Sequence, residues 1–410
     1  RLDAVTDSFV RAIPLFAGSN CTPDSTTPVT ASGTAVRSDV GTRTLTATST
    51  SRGAFTYEGH KPATGTTPQT QIYQSVPWFD TFSCGQLDYT LFPVRTENNS
   101  PSYSDGSDQF LGRRAGDGLH QTTQTMEAFR QIDPLGRIGW DRNGSTARVL
   151  VSTDTSSVGG ALFQQTATAK APANTVIIHP KSSTQQYALE AALDVVAHEY
   201  GHGMLFSWPT QLTMTYDYSV SPALQGAELH EGFSDAIGHM VERLRQQADW
   251  YGTEAPETHG DWKIGEDAIG SGGSFRRADV DDTTVKSHRF DTGFVESYHN
   301  RGNQMHVMFR LLVQGGQNPF CVANPTEYGC SYTSNGLGLD KAAKIMRHAI
   351  ENYVRSGSRW THLANYFRQS AYDLYRNCGG TNPNADYEQG EVQNAFWQIG
   401  YPADTFYSCP

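Results

Sequence analysis

The chain has 410 residues, of which 37% are hydrophobic and 18% are charged, and its formal net charge is −11. This length predicts two or three domains, or one large enzyme built from lobes. The acidic balance and the lack of a Lys/Arg cluster argue against nucleic acid as a main partner, because neutralising phosphates requires clustered cations. No apolar run long enough to span a bilayer is present, nor any heptad or Gly-X-Y repeat, so we expect a soluble globular protein.

The N-terminal part of the chain has the pattern of strands and loops. Up to about residue 180 it is rich in Thr, Ser and Gly, with short apolar runs such as 44–48 and 147–151. Short β-prone segments separated by turn residues are typical of strands. One helix is predicted to interrupt them, at about residues 118–131.

After Ser183 the hydrophobic period changes to that of helices. Residues 187–197 carry few polar side chains, which predicts a buried helix. Five more helices are predicted at about residues 226–247, 302–314, 340–355, 360–376 and 388–398. The sequence therefore predicts an α+β protein of three parts: a β-rich N-terminal lobe (1–186), a central helix (187–206) and an α-helical C-terminal lobe (207–410).

The first residue and the cysteines indicate an exported protein. The chain begins at Arg1 without a signal-like segment, which predicts a mature, secreted form whose signal and pro-segments have been removed from a zymogen. Six cysteines in a weakly charged chain favour disulfides over buried free thiols, the alternative reading. Pairing of nearest neighbours is preferred: Cys21–Cys84, Cys321–Cys330 and Cys378–Cys409.

The buried central helix carries the sequence His198-Glu199-Tyr200-Gly201-His202. Two histidines four residues apart lie on one face of a helix and can bind one cation. Glu199 lies about 100° around the helix, where it can reach a water on that cation without being a ligand. The alternative is a pair of structural histidines. This motif predicts a zinc site with a general base beside it.

A catalytic zinc site needs a third protein ligand, and the next helix offers two acids. Glu231 and Asp235 are four residues apart, so they face the same way. One can bind the metal while the other accepts a hydrogen bond from a ligand histidine. An acidic, solvated helix face is the alternative, but Phe233, Ile237 and Met240 predict that this helix is largely buried.

Together these residues resemble the gluzincin metallopeptidases, in particular the thermolysin family. The resemblance rests on His198-Glu199-x-x-His202 followed by Glu231-x-x-Ser234-Asp235. Later segments at 261–267, 298–316 and 338–396 are also similar to that family. The sequences around His198 and Glu231 are similar to those of the fungalysins as well. The resemblance implies a two-lobed fold, with the active-site helix between a β-rich lobe and an α-helical lobe.

The resemblance also implies a role for each site residue. His198, His202 and Glu231 would bind zinc, and Asp235 would orient His198. Glu199 would take a proton from the zinc-bound water and deliver it to the leaving amine, while His299 would stabilise the oxyanion. The implied substrate-binding residues are Arg276, Ala161, Val195, Ile264 and Phe275. They imply a preference for an apolar residue after the scissile bond.

Calcium is the second metal that the resemblance implies. The matching carboxylates are Asp194, Glu242, Asp261 and Glu266. Clustered carboxylates repel one another unless a hard cation lies between them. Lys263 stands where some members of the family have a further acid, so we expect one calcium ion there and not two. A salt-bridged acidic surface is the alternative.

Some positions depart from the family pattern. Residues 207–223 form an insertion before Glu231, so the active-site tyrosine of the family has no clear counterpart; Tyr216 and Tyr218 are candidates. Gly160 stands where the family has an asparagine that aligns the substrate. These departures affect stabilisation of the transition state more than they affect the metal site.

The predicted function is that of a secreted, monomeric zinc endopeptidase that acts on protein or peptide substrates. Two alternatives remain. The insertion could close one end of the cleft, giving an exopeptidase or a restricted processing enzyme. A zinc-containing binding or adhesion module without turnover is the other, although Glu199 would then have no physical need to be an acid.

Overall fold

A computed structural model describes much of the chain. The described residues are 29–37, 41–49, 54–58 and 78–82, scattered residues between 121 and 151, and then 159–166, 173–179, 182–185, 189, 192–207, 209–214, 216–217, 224–247, 262–269, 273–279, 297–375 and 387–401. The predicted disulfides Cys21–Cys84 and Cys378–Cys409 lie outside them, as do Asp261 and Tyr218.

The first four strands form two antiparallel pairs. Strand β1 (Val29–Arg37) pairs with β2 (Gly41–Ser49) in a hairpin, with Val29 opposite Ser49 and Arg37 opposite Gly41. Strand β3 (Ala54–Glu58) pairs with β4 (Trp78–Phe82). Their backbones agree with the strand-rich character predicted for this part of the chain.

A three-stranded sheet lies close to the central helix. It contains β5 (Val149–Val151), β6 (Ala161–Gln164) and β7 (Thr175–Ile178), in the order β5-β7-β6. The middle strand β7 is fully buried and runs parallel to β5 and antiparallel to β6. Strand β6 is therefore at an edge of this sheet, as far as the described residues show.

The remaining strands are two-residue pairs, and helices dominate the rest of the chain. The pairs join β8 (Tyr216–Asp217) to β9 (Leu224–Gln225) and β10 (Lys263–Ile264) to β11 (Arg276–Arg277). The helices are α1 (Leu193–Phe206), α2 (Gly226–Gln247), α3 (Glu266–Ile269), α4 (Tyr298–Gln314), α5 (Pro319–Ala323), α6 (Leu339–Asn352), α7 (Trp360–Tyr375) and α8 (Tyr387–Gln398). Helical residues also occur between 121 and 132, where a helix was predicted.

The central helix begins later than predicted. Its first helical residue is Leu193, not residue 187, and Ala192 before it has an extended backbone with φ −96° and ψ 116°. Asp194 stabilises this start, because its carboxylate accepts a hydrogen bond from the Val195 N–H (2.8 Å) near the positive end of the helix dipole. All but the last residue of α1 are buried.

Helix α1 packs against α2 at very short range. A Cβ on Gly201 would lie 3.0 Å from Ser234 Cα, and one on Gly238 would lie 2.6 Å from the Asp194 carbonyl oxygen. The absence of side chains at these two glycines lets the helices approach until residues on both can share one site. Aromatic rings of α2, α7 and α8 continue the core, with Phe233, Phe367 and Phe396 in contact.

One predicted disulfide and the prediction of no membrane span can be compared with the structure. Cys321, within α5, and Cys330 form the predicted disulfide, and both are buried. None of the helices in the described part of the chain is both long and apolar enough to cross a bilayer.

Candidate metal centre

Helix α1 places three chemically active side chains at its buried centre. His198, Glu199 and His202 lie within two turns and each is less than a tenth exposed. The rings of His198 and His202 are 4.8 Å apart, which is the arrangement expected for residues four apart on one helix face. Both imidazoles can therefore reach one ion.

Glu231 on helix α2 completes a set of three possible ligands. Its Oε2 lies 3.4 Å from His198 Nε2, and its Oε1 lies 3.7 Å from His202 Nε2. The three ligand atoms lie within 4.8 Å of one another, and no other group of three His, Cys, Asp or Glu residues in the described part of the chain meets that condition.

The charges and hydrogen bonds of these residues fit zinc. Asp235 Oδ1 lies 2.8 Å from His198 Nδ1, so this nitrogen carries a proton, and Nε2, which faces Glu231, is the atom that can bind a metal. Glu231 Oε2 is buried and receives no hydrogen bond from any residue that the structure describes. Two imidazoles and one carboxylate are a recognised set of protein ligands for a catalytic zinc ion that keeps one open position.

The Asp235 carboxylate contacts Arg276 as well as His198. The Arg276 guanidinium donates two hydrogen bonds to it, from Nε to Oδ2 and from Nη2 to Oδ1, each 2.5 Å long. Burial opposes the charge, but Arg276 and His198 overcome it and hold the pKa of Asp235 far below its usual value. The carboxylate is therefore ionised, which increases the basicity of the histidine that it contacts.

Glu199 is buried beside these residues and takes no part in the ligand set. The Glu199 carboxylate accepts a hydrogen bond from the backbone N–H of Phe163 on β6. It therefore lies between helix α1 and the edge strand. Burial raises the pKa of Glu199 to about 7, against the opposing effect of His198 and Arg276. A carboxyl group with such a pKa can both accept and release a proton near neutral pH.

His299 reaches the site from the first turn of α4. Its Nε2 lies 3.5 Å from Glu231 Oε1, and 44% of its side chain is exposed. Burial of the remainder lowers the pKa of His299, so the ring is neutral at pH 7. Ser297 caps this helix by accepting a hydrogen bond from the Asn300 N–H (3.4 Å), and this fixes the turn that carries the histidine.

The predicted substrate-binding residues lie on several elements. Ala161 is part-buried on the edge strand β6, whereas Val195 and Ile264 are buried. Phe275 is 42% exposed and packs over Gly265, whose φ of +75° and close contact leave no room for a Cβ. Of the three predicted pocket residues, Phe275 exposes the most apolar surface.

The predicted calcium ligands are only partly described. Asp194 is buried, and its Oδ2 accepts a hydrogen bond from the Gly265 N–H at 2.5 Å. Glu242 on α2 is buried, with Oε2 lying 3.6 Å from His239 Nδ1. Glu266 and Lys263 are part-buried on the segment that also holds Gly265. The calcium site stays a prediction.

One residue beside the proposed ligands, His230, is not among the site residues predicted from the sequence. His230 is fully buried, and its Nδ1 lies 3.1 Å from Nδ1 of the predicted ligand His202. Burial lowers the pKa of His230 to about 4. Its position one residue before Glu231 was the only signal in the sequence, since the contact depends on how α2 packs against α1.

Comparison with known proteins agrees with this geometry. The family model described as "Thermolysin metallopeptidase, alpha-helical domain" matches residues 223–401. Over 221 residues the chain is 29% identical to the thermostable neutral protease NprT of Geobacillus stearothermophilus, covering 51% of this chain and 32% of the relative. Over 296 residues it is 25% identical to a bacillolysin of Brevibacillus brevis, covering 68% and 47%. The chain thus spans less than half of the length of these relatives, 32% of the first and 47% of the second.

A solved structure shares the fold. The precursor of protealysin, a metalloproteinase from Serratia proteamaculans, superposes with a TM-score of 0.52 at 15% identity, covering 72% of this chain and 81% of the other. The family match begins just before β9 and ends after α8, so it includes Glu231, Asp235 and His299. Residues 223–401 are therefore similar to the alpha-helical domain of the thermolysin metallopeptidases.

Proposed function

We propose that this protein is a zinc endopeptidase with two lobes, one β-rich and one α-helical, separated by helix α1. The observation that carries the proposal is the meeting of His198, His202 and Glu231 from two helices, with Glu199 beside them and outside the ligand set. A binding module would need the three ligands but not a buried, unligated carboxyl group with a raised pKa.

Different residues of the chain perform different steps of peptide hydrolysis in this proposal. Zinc, when bound by the two histidines and Glu231, supplies a Lewis acid that polarises a peptide carbonyl and acidifies water. Glu199 takes the proton of the attacking water and passes it to the amine that leaves. The neutral His299 ring donates a hydrogen bond to the oxygen on which negative charge develops.

Arg276 has a positioning role in this proposal as well as the predicted contact with substrate. Its Nε and Nη2 are directed to Asp235, which leaves Nη1 for a substrate carbonyl beyond the scissile bond. The salt bridge fixes the guanidinium before substrate binds, and this lowers the entropy lost on binding.

The substrate is proposed to bind in an extended conformation. Strand β6 is an edge strand in the described sheet, and the Phe163 backbone contacts Glu199, so a peptide added next to Ala161 would run past the general base. The exposed apolar face of Phe275, together with Val195 and Ile264, favours an apolar residue after the scissile bond.

We also propose one calcium ion near the start of α1, bound by carboxylates of Asp194, Glu242, Asp261 and Glu266, with Lys263 supplying one further positive charge. The burial of Asp194 and Glu242 supports it, because a bound cation would offset part of the cost of burying their charges. Metal analysis after dialysis, and thermal unfolding with and without a calcium-selective chelator, test it. Absence of calcium together with an unchanged melting temperature would refute the site.

A secreted location is proposed from the Cys321–Cys330 disulfide, since disulfides persist in oxidising compartments. The proposed partners are protein and peptide substrates, with the protein acting as a monomer.

An internally quenched peptide with both termini blocked tests the activity. An endopeptidase cleaves it, and replacing the apolar residue after the scissile bond by aspartate slows cleavage. An exopeptidase cleaves only peptides with a free terminus. A protein that binds zinc and cleaves neither type is a binding module, and the proposal is then wrong.

A further inference from the structure

The two proposed histidine ligands are supported by different partners. His198 Nδ1 faces the Asp235 carboxylate at 2.8 Å. His202 Nδ1 faces another imidazole, that of His230, at 3.1 Å, and the Ser234 hydroxyl lies 3.2 Å from the same nitrogen. The groups that contact His202 Nδ1 are thus uncharged when His230 is neutral. The distance between the two rings does not by itself show which of them donates the hydrogen bond.

A third contact decides the direction of that hydrogen bond. His230 Nε2 lies 2.7 Å from the carbonyl oxygen of Leu212. A carbonyl oxygen only accepts, so Nε2 of His230 carries the proton and, in the neutral ring, Nδ1 is an acceptor. His202 Nδ1 must then be the donor. The remaining nitrogen of His202, Nε2, keeps its lone pair and faces Glu231 Oε1.

The Leu212 carbonyl is a fixed anchor. The Leu212 N–H donates to Leu205 O (2.9 Å) and the Gln211 N–H donates to Ser207 O (3.0 Å), which ties this turn to the end of α1. The Thr210 hydroxyl donates to Ile350 O (2.9 Å), which ties it to α6. Gln211 has a φ of 45°, a left-handed conformation that turns the chain back toward the site.

His230 itself has little freedom to move. It is fully buried, and its ring centroid lies 4.4 Å from that of Phe206 and 5.3 Å from that of His202. An imidazole confined in this way presents its two nitrogens to fixed points, Leu212 O on one side and His202 Nδ1 on the other.

We propose that His230 is a positioning residue that fixes His202 as the tautomer protonated on Nδ1, using the Leu212 carbonyl of the inserted segment 207–223 as its anchor. The inference rests on the zinc site of the proposed function. It gives the insertion a role inside the metal centre, because the backbone of this segment determines which nitrogen of a ligand faces the metal.

Zinc affinity of the full-length protein tests the proposal, measured by competition with a chromophoric chelator for wild type, His230→Leu and His230→Asn. Leucine fills the space without an acceptor, so the dissociation constant for zinc should rise about 10- to 100-fold, the usual effect of losing such a support. Asparagine can place its amide oxygen near the position of Nδ1, so it should restore most of the affinity.

Ser234→Ala is the matched control, because it removes the other group near His202 Nδ1. It should bind zinc almost as tightly as wild type. Wild-type affinity in His230→Leu, failure of asparagine to restore affinity, or a larger effect from Ser234→Ala would each overturn the proposal. Circular dichroism of the metal-free proteins identifies a variant that has not folded.

The tautomer can also be read directly in the wild-type protein, which does not depend on any variant folding. In protein labelled with ¹⁵N-histidine, long-range ¹H–¹⁵N spectra should show His202 protonated on Nδ1 and His230 protonated on Nε2. Protonation of His202 on Nε2 would overturn the inference. Neither measurement requires peptide hydrolysis. If the protein binds zinc with these tautomers but cleaves no peptide, the proposed function is wrong and the role of His230 still holds.

Discussion

The Asp235 carboxylate lies within hydrogen-bonding distance of both His198 and Arg276, so one buried acid connects a proposed zinc ligand with the cation of strand β11. Its Oδ1 is 2.8 Å from His198 Nδ1 and 2.5 Å from Arg276 Nη2. The side chain of Asp235 is fully buried. The predicted roles include the contact of Asp235 with His198 but not its contact with Arg276. Because Asp235 contacts both, substituting it should affect both the metal site and the cleft.

Replacing Asp235 by Asn should weaken zinc binding and folding together. The amide is neutral and leaves the buried Arg276 charge without its partner, which typically costs about 3–5 kcal/mol in the free energy of unfolding. The dissociation constant for zinc should rise about 10- to 100-fold, because His198 loses a basic partner. Denaturant unfolding of the metal-free protein and chelator competition measure the two effects.

Asp340→Asn is the control for that variant. Asp340 pairs with Lys344 on the surface of α6, and 65% of its side chain is exposed. Loss of an exposed pair of this kind changes stability by about 1 kcal/mol or less. If Asp235→Asn behaves like Asp340→Asn in both measurements, Asp235 does not support the metal centre.

The pH dependence of hydrolysis should follow the ionisation of Glu199. Burial raises the pKa of this carboxyl to about 7, and only the ionised form can accept a proton. Protonation on lowering the pH therefore removes the base, and kcat/KM should fall. Because a bound cation favours the ionised form, the fall should be centred at or below the metal-free value of about 7. A rate that stays constant as the pH is lowered, while zinc remains bound, would contradict this assignment.

Close packing of α2 against α4 should make Gly232 intolerant of any side chain. A Cβ there would lie 2.5 Å from the Gly302 carbonyl oxygen and 2.8 Å from the Met305 side chain. Gly232→Ala should therefore lower the free energy of unfolding by about 1–3 kcal/mol. It should also reduce activity, since α2 carries Glu231 and α4 carries His299.

Gly390→Ala on α8 is the matched control, because nothing lies within 4 Å of a Cβ at that position. Alanine in a helix is more stable than glycine by about 0.5–1 kcal/mol, so this variant should be slightly stabilised. Thermal unfolding distinguishes the two glycines. Equal effects of the two substitutions would show that the α2–α4 contact does not limit the size of residue 232.

Elements with a local sequence signal agree best with the structure. The predicted helix at 226–247 has the bounds of α2, because its hydrophobic period is a property of that segment alone. The proximity of His198 and His202 was predictable, since helical spacing fixes the relation between them. The start of α1 was predicted too early, and the Asp194 side chain near this start also accepts a hydrogen bond from Gly265, which is distant in the sequence.

Long-range packing also explains the roles that the sequence left unseen. His230 looks like any histidine on a buried helix until Leu212 and His202 lie on either side of its ring. The second role of Arg276 likewise appears only when β11 pairs with β10 and brings the guanidinium to Asp235.

The most direct test of the central claim compares the wild type with Glu199→Gln in hydrolysis of casein and of the blocked, quenched peptide, with zinc content measured on the same samples. The glutamine variant should bind zinc as the wild type does, yet lose about 10²- to 10⁴-fold in rate, because the amide cannot accept the proton. A zinc chelator should abolish the wild-type activity. Equal rates for the two zinc-loaded proteins would contradict the assignment of Glu199 as the general base of a zinc peptidase.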